Sequence, residues 1–131
     1  RGALSVALAA ATQTKLPQRP DSIVITAGML VATQERQPSV ERNVPGLANI
    51  GQPVLIVYHE KDGCSYTPPS SGTRFKPLLK GAARVDIRLL SGGSAGAPNA
   101  DPCEAQSHHG FLGQDGEVVD LIGGWLKALP R

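Results

Sequence analysis

A chain of 131 residues with a formal charge of +2 makes one domain of modest size, able to bury a core but not a large one. Its basic residues, from Arg19 and Arg36 through Lys80 to Arg88, are scattered rather than gathered on one face, which excludes nucleic acid as a partner. Its longest apolar stretches, 3–11 and 23–32, fall short of the roughly 20 residues that span a bilayer. A soluble domain packed by small aliphatic side chains is expected.

The opening RGALSVALAAAT has two readings. A basic residue ahead of a short apolar run resembles the core of a secretory signal, but no Met precedes it and only one basic residue does. The other reading is a helix over 2–14, apolar at nearly every position and therefore buried on most of its surface, stopped by Leu16-Pro17 and followed by a turn at Pro20-Asp21. A start on Arg1 is expected of a chain processed or cut from something longer. Residues 22–27 (SIVITA) are a β-branched run of the kind covered on both faces, a central parallel strand. Residues 28–52, interrupted by Pro38, Pro45 and Gly46, predict an irregular crossover with one short turn of helix. Pro53 introduces VLIVYH, the strongest strand signal in the chain, and 68–80 predicts a helix entered through prolines. Residues 85–91 (VDIRLLS) predict another buried strand, and 92–102 a loop rich in Gly, Ala, Ser and Asn. Residues 117–129 close the chain as an amphipathic helix with Val118, Val119, Leu121, Ile122, Trp125 and Leu126 on its apolar side. The alternation predicts an α/β fold: a parallel sheet of about three strands with helices on both faces and right-handed connections.

Sites in open parallel sheets lie beyond the carboxyl ends of the strands, which directs attention to HEKDGC after the second strand and CEAQSHHGF after the third. Asp62 lies just past the second strand in a Lys-Asp-Gly turn, where the plainest role for it is turn chemistry. His109 precedes Gly110 in the loop before the last helix, beside a second histidine, His108. An acid after one strand and a histidine after the next, at the same edge of the sheet, fit an orienting carboxylate and a general base. A nucleophile is missing. SGGSAG at 91–96 opens no helix and has no Gly-Lys-Ser, so it is a weak phosphate-loop signal. Cys64, Cys103, His108 and His109 lack the paired spacing of a metal site.

The segment from VLIVYHEKDGC through SHHGFLGQDGEVVDLIGGWL resembles the last two strand-loop units of an α/β-hydrolase. In that family the triad runs Ser, then Asp or Glu, then His, with the serine in a G-x-S-x-G elbow between a strand and a buried helix. With a serine immediately before Arg1, Ser-Arg1-Gly2 completes the elbow and the helix over 2–14 is the one that follows it. The resemblance covers nearly all of the chain but only the second half of the family's pattern. It implies Asp62 as triad acid, with Glu60 second to it, and His109 as triad base, with His108 second. It implies the backbone N–H of Arg1 as an oxyanion donor in the intact parent, and leaves His59 as a packed or hydrogen-bonded rim residue. Ser5, Ser70, Ser71, Ser94 and Ser107 are not at an elbow. The implied activity is hydrolysis of a small ester or amide without cofactor or metal, by a parent of which this portion alone is inactive.

Cys64 and Cys103 stand in the two loops that present Asp62 and His109. Paired, they close a loop of about 40 residues, a stabilisation of about 4 kcal/mol in the chain-entropy account. Pairing is the expectation, and it implies a periplasmic or secreted protein; the alternative is two half-buried thiols. A reading from a different class is a non-catalytic α/β domain that associates through the sheet edge beside SIVITA, covered by a missing N-terminal half or by a second copy. A nucleotide- or flavin-binding doubly wound domain is a third, for which no phosphate fingerprint is present.

Overall fold

The three runs of β-branched and aliphatic residues pair into one parallel sheet in the order β1–β2–β3, where β1 is Ile23–Thr26, β2 Val54–His59 and β3 Val85–Leu90. The computed structural model describes residues 2–13, 17 and 19–130. Ile23 pairs with Val54 and His59 with Leu90, so the carboxyl ends of β2 and β3 lie side by side. Every residue of β2 is buried. That is why VLIVYH shows no polar alternation: a central parallel strand is covered on both faces.

The outer strands are less covered than their sequences suggest. In β1 only Ile23 and Ile25 are buried, and β3 has no buried residue, with Leu89 53% exposed. Among the described residues no strand pairs with the outer side of either. The expected central position of 22–27 and the expected burial of 85–91 are therefore both corrected, because only β2 has a neighbour on each side.

The helices are α1 (Gly2–Thr12), α2 (Val40–Asn43), α3 (Ser71–Phe75) and α4 (Asp115–Lys127). Alternate residues of β2 divide between two cores. Val54, Ile56 and Tyr58 pack with Ala7 and Ala10 of α1, Leu30 and Val40 of the crossover and Phe75 of α3. Leu55 and Val57 pack on the other face with Phe111 and with Trp125 of α4. The α/β architecture with helices on both faces is thus present.

Several boundaries differ from expectation for identifiable reasons. α1 buries only Ala7, Ala10 and Ala11, while Val6 and Leu8 are 40% and 44% exposed; a narrow sheet covers one stripe of the helix, not most of its surface. Its expected end at Thr14 and the stop at Leu16 lie outside the described residues. The crossover holds α2, capped by the Ser39 hydroxyl accepting from the Arg42 N–H, and a 3-10 turn at Leu47–Asn49. The helix expected over 68–80 is α3 followed by a 3-10 turn at Lys76–Leu78, since Pro77 has no N–H to continue the i→i−4 ladder. In α4, Val119 and Leu126 are 67% and 42% exposed. Each sits one residue beyond the 118–121–122–125 stripe, hence about 100° around the helix, and off the apolar side assigned to them.

Trp125 ties α4 to β3, its indole N–H donating to Asp86 Oδ2 at 2.8 Å while Arg84 and Arg88 pair with the same carboxylate. Burial disfavours the charge on Asp86, but the indole bond and then the two arginines outweigh it and hold the carboxyl below the ordinary aspartate range. Trp125→Phe is expected to cost about 1.5 kcal/mol near neutral pH. A depressed carboxyl contributes stability above its unfolded pKa and loses it as pH falls through its folded one. The difference in Tm between wild type and variant should therefore narrow in acid, and a difference constant with pH would show that the indole bond carries no weight.

Candidate active site

β2 ends at His59, and the chain turns at once: the Glu60 N–H still donates to Leu90 O at 2.8 Å, and the Asp62 N–H closes back on His59 O at 3.1 Å. This reversal sends the Asp62 side chain inward, where none of its surface is exposed. A carboxylate so placed needs donors, and three are present. The Cys64 N–H donates to Oδ1 at 2.9 Å, and the Thr67 hydroxyl donates to Oδ2 at 3.1 Å. The His109 ring approaches Oδ2 through Nδ1 at 3.0 Å.

His109 arrives from the loop after β3 in a 3-10 turn, His108–Gly110, capped by the Ser107 hydroxyl oxygen accepting from the His109 N–H at 3.1 Å. Gly110 is required there, since a Cβ would fall 2.2 Å from Ala105 O. The short motif S-H-H-G is thus a capped, tightly folded turn that aims one imidazole at Asp62.

Thr67 decides the tautomer. Its single hydroxyl proton goes to Asp62, so its 3.0 Å contact with His109 Nδ1 has the ring N–H as donor and the hydroxyl oxygen as acceptor. Both neighbours therefore select the Nδ1–H form and leave Nε2 as the basic nitrogen. Cys64 and Cys103 form a disulfide across a sequence separation of 39, with their Cα atoms 4.6 Å apart. The two loops are cross-linked two residues past Asp62 and six before His109.

The other histidines are committed differently. His59 is buried; the Lys61 N–H donates to its Nδ1 at 3.0 Å, so Nε2 carries the proton and donates to Gly92 O at 2.9 Å. His108 stacks on it with ring centroids 4.1 Å apart and an interplanar angle of 15°. Burial, reinforced by His59 and Lys61 and opposed by Asp62, pushes the His108 pKa down, and its buried Nδ1 has no hydrogen-bond partner. Of the candidate acids and bases, then, Asp62 and His109 meet, whereas Glu60 is exposed and His108 is a packing ring. The Arg1 N–H lies outside the described residues. Ser71 is fully buried, the Ser107 hydroxyl is committed to the turn, and the Ser94 oxygen accepts from the Gly96 N–H. Ser70 is exposed at the start of α3, and Ser5 lies on α1.

His109 and Thr67 line a cavity of about 460 Å³ shared with the disulfide, the first turn of α1 (Gly2, Ala3, Leu4) and the end of β1. Its described lining includes the hydroxyls of Thr26 and Thr67 but no serine. Ala27 on its wall and Phe111 after the His109 turn have positive φ, 44° and 57°, costly for residues with a side chain. Among the described residues no group of three or more His, Cys, Asp or Glu is disposed to hold a metal ion, and no helix is long and apolar enough to cross a membrane. Comparison with protein-family models, curated proteins and solved structures finds no match to this chain.

Two outcomes check this geometry. Cys64→Ala combined with Cys103→Ala is expected to lower unfolding stability by about 4 kcal/mol, measured by urea titration; an unchanged midpoint would mean that the loops are held without the bridge. Asp62→Asn should shift the ring ¹⁵N resonances of His109 from the Nδ1–H tautomer towards a mixture while those of His59 stay put. Resonances of His109 that do not move would place the tautomer control elsewhere.

Proposed function

We propose that the chain is the acid- and base-bearing portion of a serine hydrolase acting on esters or amides, with its nucleophile on the residue immediately ahead of Arg1. The observation that carries this reading is the bond from Asp62 to His109, a histidine on the wall of a cavity that also takes in the first turn of α1. In such an enzyme Asp62 holds the imidazole in the Nδ1–H form, Nε2 takes the serine proton as the hydroxyl attacks the carbonyl, and the proton passes to the leaving group. The donor to the developing oxyanion that the resemblance implies is the backbone N–H of Arg1, next to the nucleophile. The resemblance to α/β-hydrolases in the two loops agrees with this assignment. The disulfide favours an oxidising compartment, periplasmic or extracellular.

Expressed with the residues encoded ahead of Arg1, the protein should react with a fluorophosphonate at that serine. His109→Ala and Asp62→Ala should each slow ester hydrolysis by about 10⁴-fold. The residues 1–131 alone should not be labelled. A residue other than serine before Arg1, or labelling indifferent to His109, overturns the reading.

The position of β1 supports a second reading, a domain that associates through this strand. β1 is a sheet edge, and Val6 and Leu8 are exposed on the helix packed against it. Analytical ultracentrifugation should then show a dimer, dispersed when Val24 or Thr26 is replaced by proline; a monomer at high concentration would count against it.

A further inference from the structure

A second cavity, of about 420 Å³, adjoins the first: Met29 and Tyr66 line both, and Gln34, Arg36, Gln37 and Pro38 complete the second. The two meet at these shared residues, with His109 on the wall of the first and Arg36 on the wall of the second. Between them lie the Met29 side chain and Tyr66, which is 41% exposed.

The loop that carries Arg36 is held firmly. The Thr33 N–H donates to Gln37 Oε1 at 2.8 Å, and Gln37, itself buried, donates through Nε2 to Tyr66 O at 3.0 Å. The Arg42 guanidinium donates to the carbonyls of Gln34, Glu35 and Gln37. Arg42 is therefore committed to the loop itself, whereas Arg36 is exposed and forms no ion pair among the described residues. It is also the one side chain with a fixed charge among the described residues that line the two cavities; Glu35, its neighbour in sequence, is not among them.

We propose that Arg36 receives the anionic end of the substrate, so that the preferred ester or amide carries a carboxylate or phosphate at the end remote from the scissile bond, its apolar middle lying across Met29 and Tyr66. The position of the scissile bond rests on the hydrolase reading above; the anion site does not. A guanidinium presented on a rigid loop offers a paired donor edge that matches either oxyanion. At an open site such a contact is modest, equivalent to about a three- to tenfold preference, and weakened by salt.

Binding is read on the chain as it stands, by NMR titration with octanoate, octyl phosphate and the neutral octanamide. Octanoate or octyl phosphate should perturb the amides of 34–37 and 66 more strongly than octanamide, with the effect reduced by salt and by Arg36→Gln and partly kept by Arg36→Lys. The stronger of the two anions identifies the headgroup. Octanamide binding as well as both anions, or anion binding untouched by Arg36→Gln, overturns the proposal. In the longer protein, the ratio of kcat/KM for p-nitrophenyl monoesters of a dicarboxylic acid over their methyl-capped forms should fall about three- to tenfold in Arg36→Gln. Anion binding at Arg36 without esterase activity would remove the reaction and keep the anion site. Esterase activity with equal ratios in both proteins would remove the anion site and keep the reaction.

Discussion

The hydrogen bond between Asp62 and His109 joins side chains 47 residues apart at a point where the carboxylate has no exposed surface. Taking a carboxylate out of water costs several kcal/mol unless its lone pairs are met. The Cys64 N–H, the Thr67 hydroxyl and the His109 ring meet them, and charge-assisted bonds of about 1.5–3 kcal/mol each are on the scale of that cost. Holding the three donors together falls to separate parts of the structure. Parallel pairing of His59 with Leu90 fixes where the two loops begin, the disulfide fixes them farther out, and the Ser107–Gly110 turn fixes the ring. Loss of any one leaves a buried charge short of a partner.

The three histidines show how far partners, rather than residue type, set what an imidazole can do. His59 has both nitrogens hydrogen-bonded to the backbone. Burial above all pushes the His108 pKa down, and its ring stacks on His59. In His109 Nδ1 is held by side chains, which leaves Nε2 without the ring proton, and the residue lines the cavity. A general base needs that division, one nitrogen oriented and one available. The stacked pair ties the HHG turn, through His108, to the end of β2 at His59.

Much of this was readable from residue order. VLIVYH was the strongest strand signal, and in a parallel sheet the loops after adjacent strands share an edge, which was enough to single out Asp62, His109 and the two cysteines. Thr67 was not readable: a threonine five residues past the acid, in SYTPP, belongs to no spacing rule, and its role arises only because the 64–67 turn folds back over Asp62. Gln37 was hidden for the same reason, its partners Thr33 and Tyr66 being assembled by the crossover. The outer strands misled because β-branched composition reports what a strand can bury, not how many neighbours it has. Val119 and Leu126 misled because a helix facing a narrow sheet needs a thinner stripe than its apolar residues supply.

The two edges of the sheet are not equivalent. β3 carries Asp86 and Arg88 within the strand and Arg84 directly before it, an ion-paired cluster of the kind that blunts an edge against further pairing. β1, with the sequence IVIT, carries no charge at all, and the helix packed on it leaves Val6 and Leu8 open. Edge-to-edge addition at β3 would have to displace or desolvate three charges, while addition at β1 would satisfy free backbone groups and cover aliphatic surface. The cavity with His109 opens beside this same strand, its wall including 24–29. A strand added at β1 would therefore also border the cavity that His109 lines. The two proposed readings, association at the sheet edge and chemistry at its carboxyl end, for this reason meet at one place in the fold.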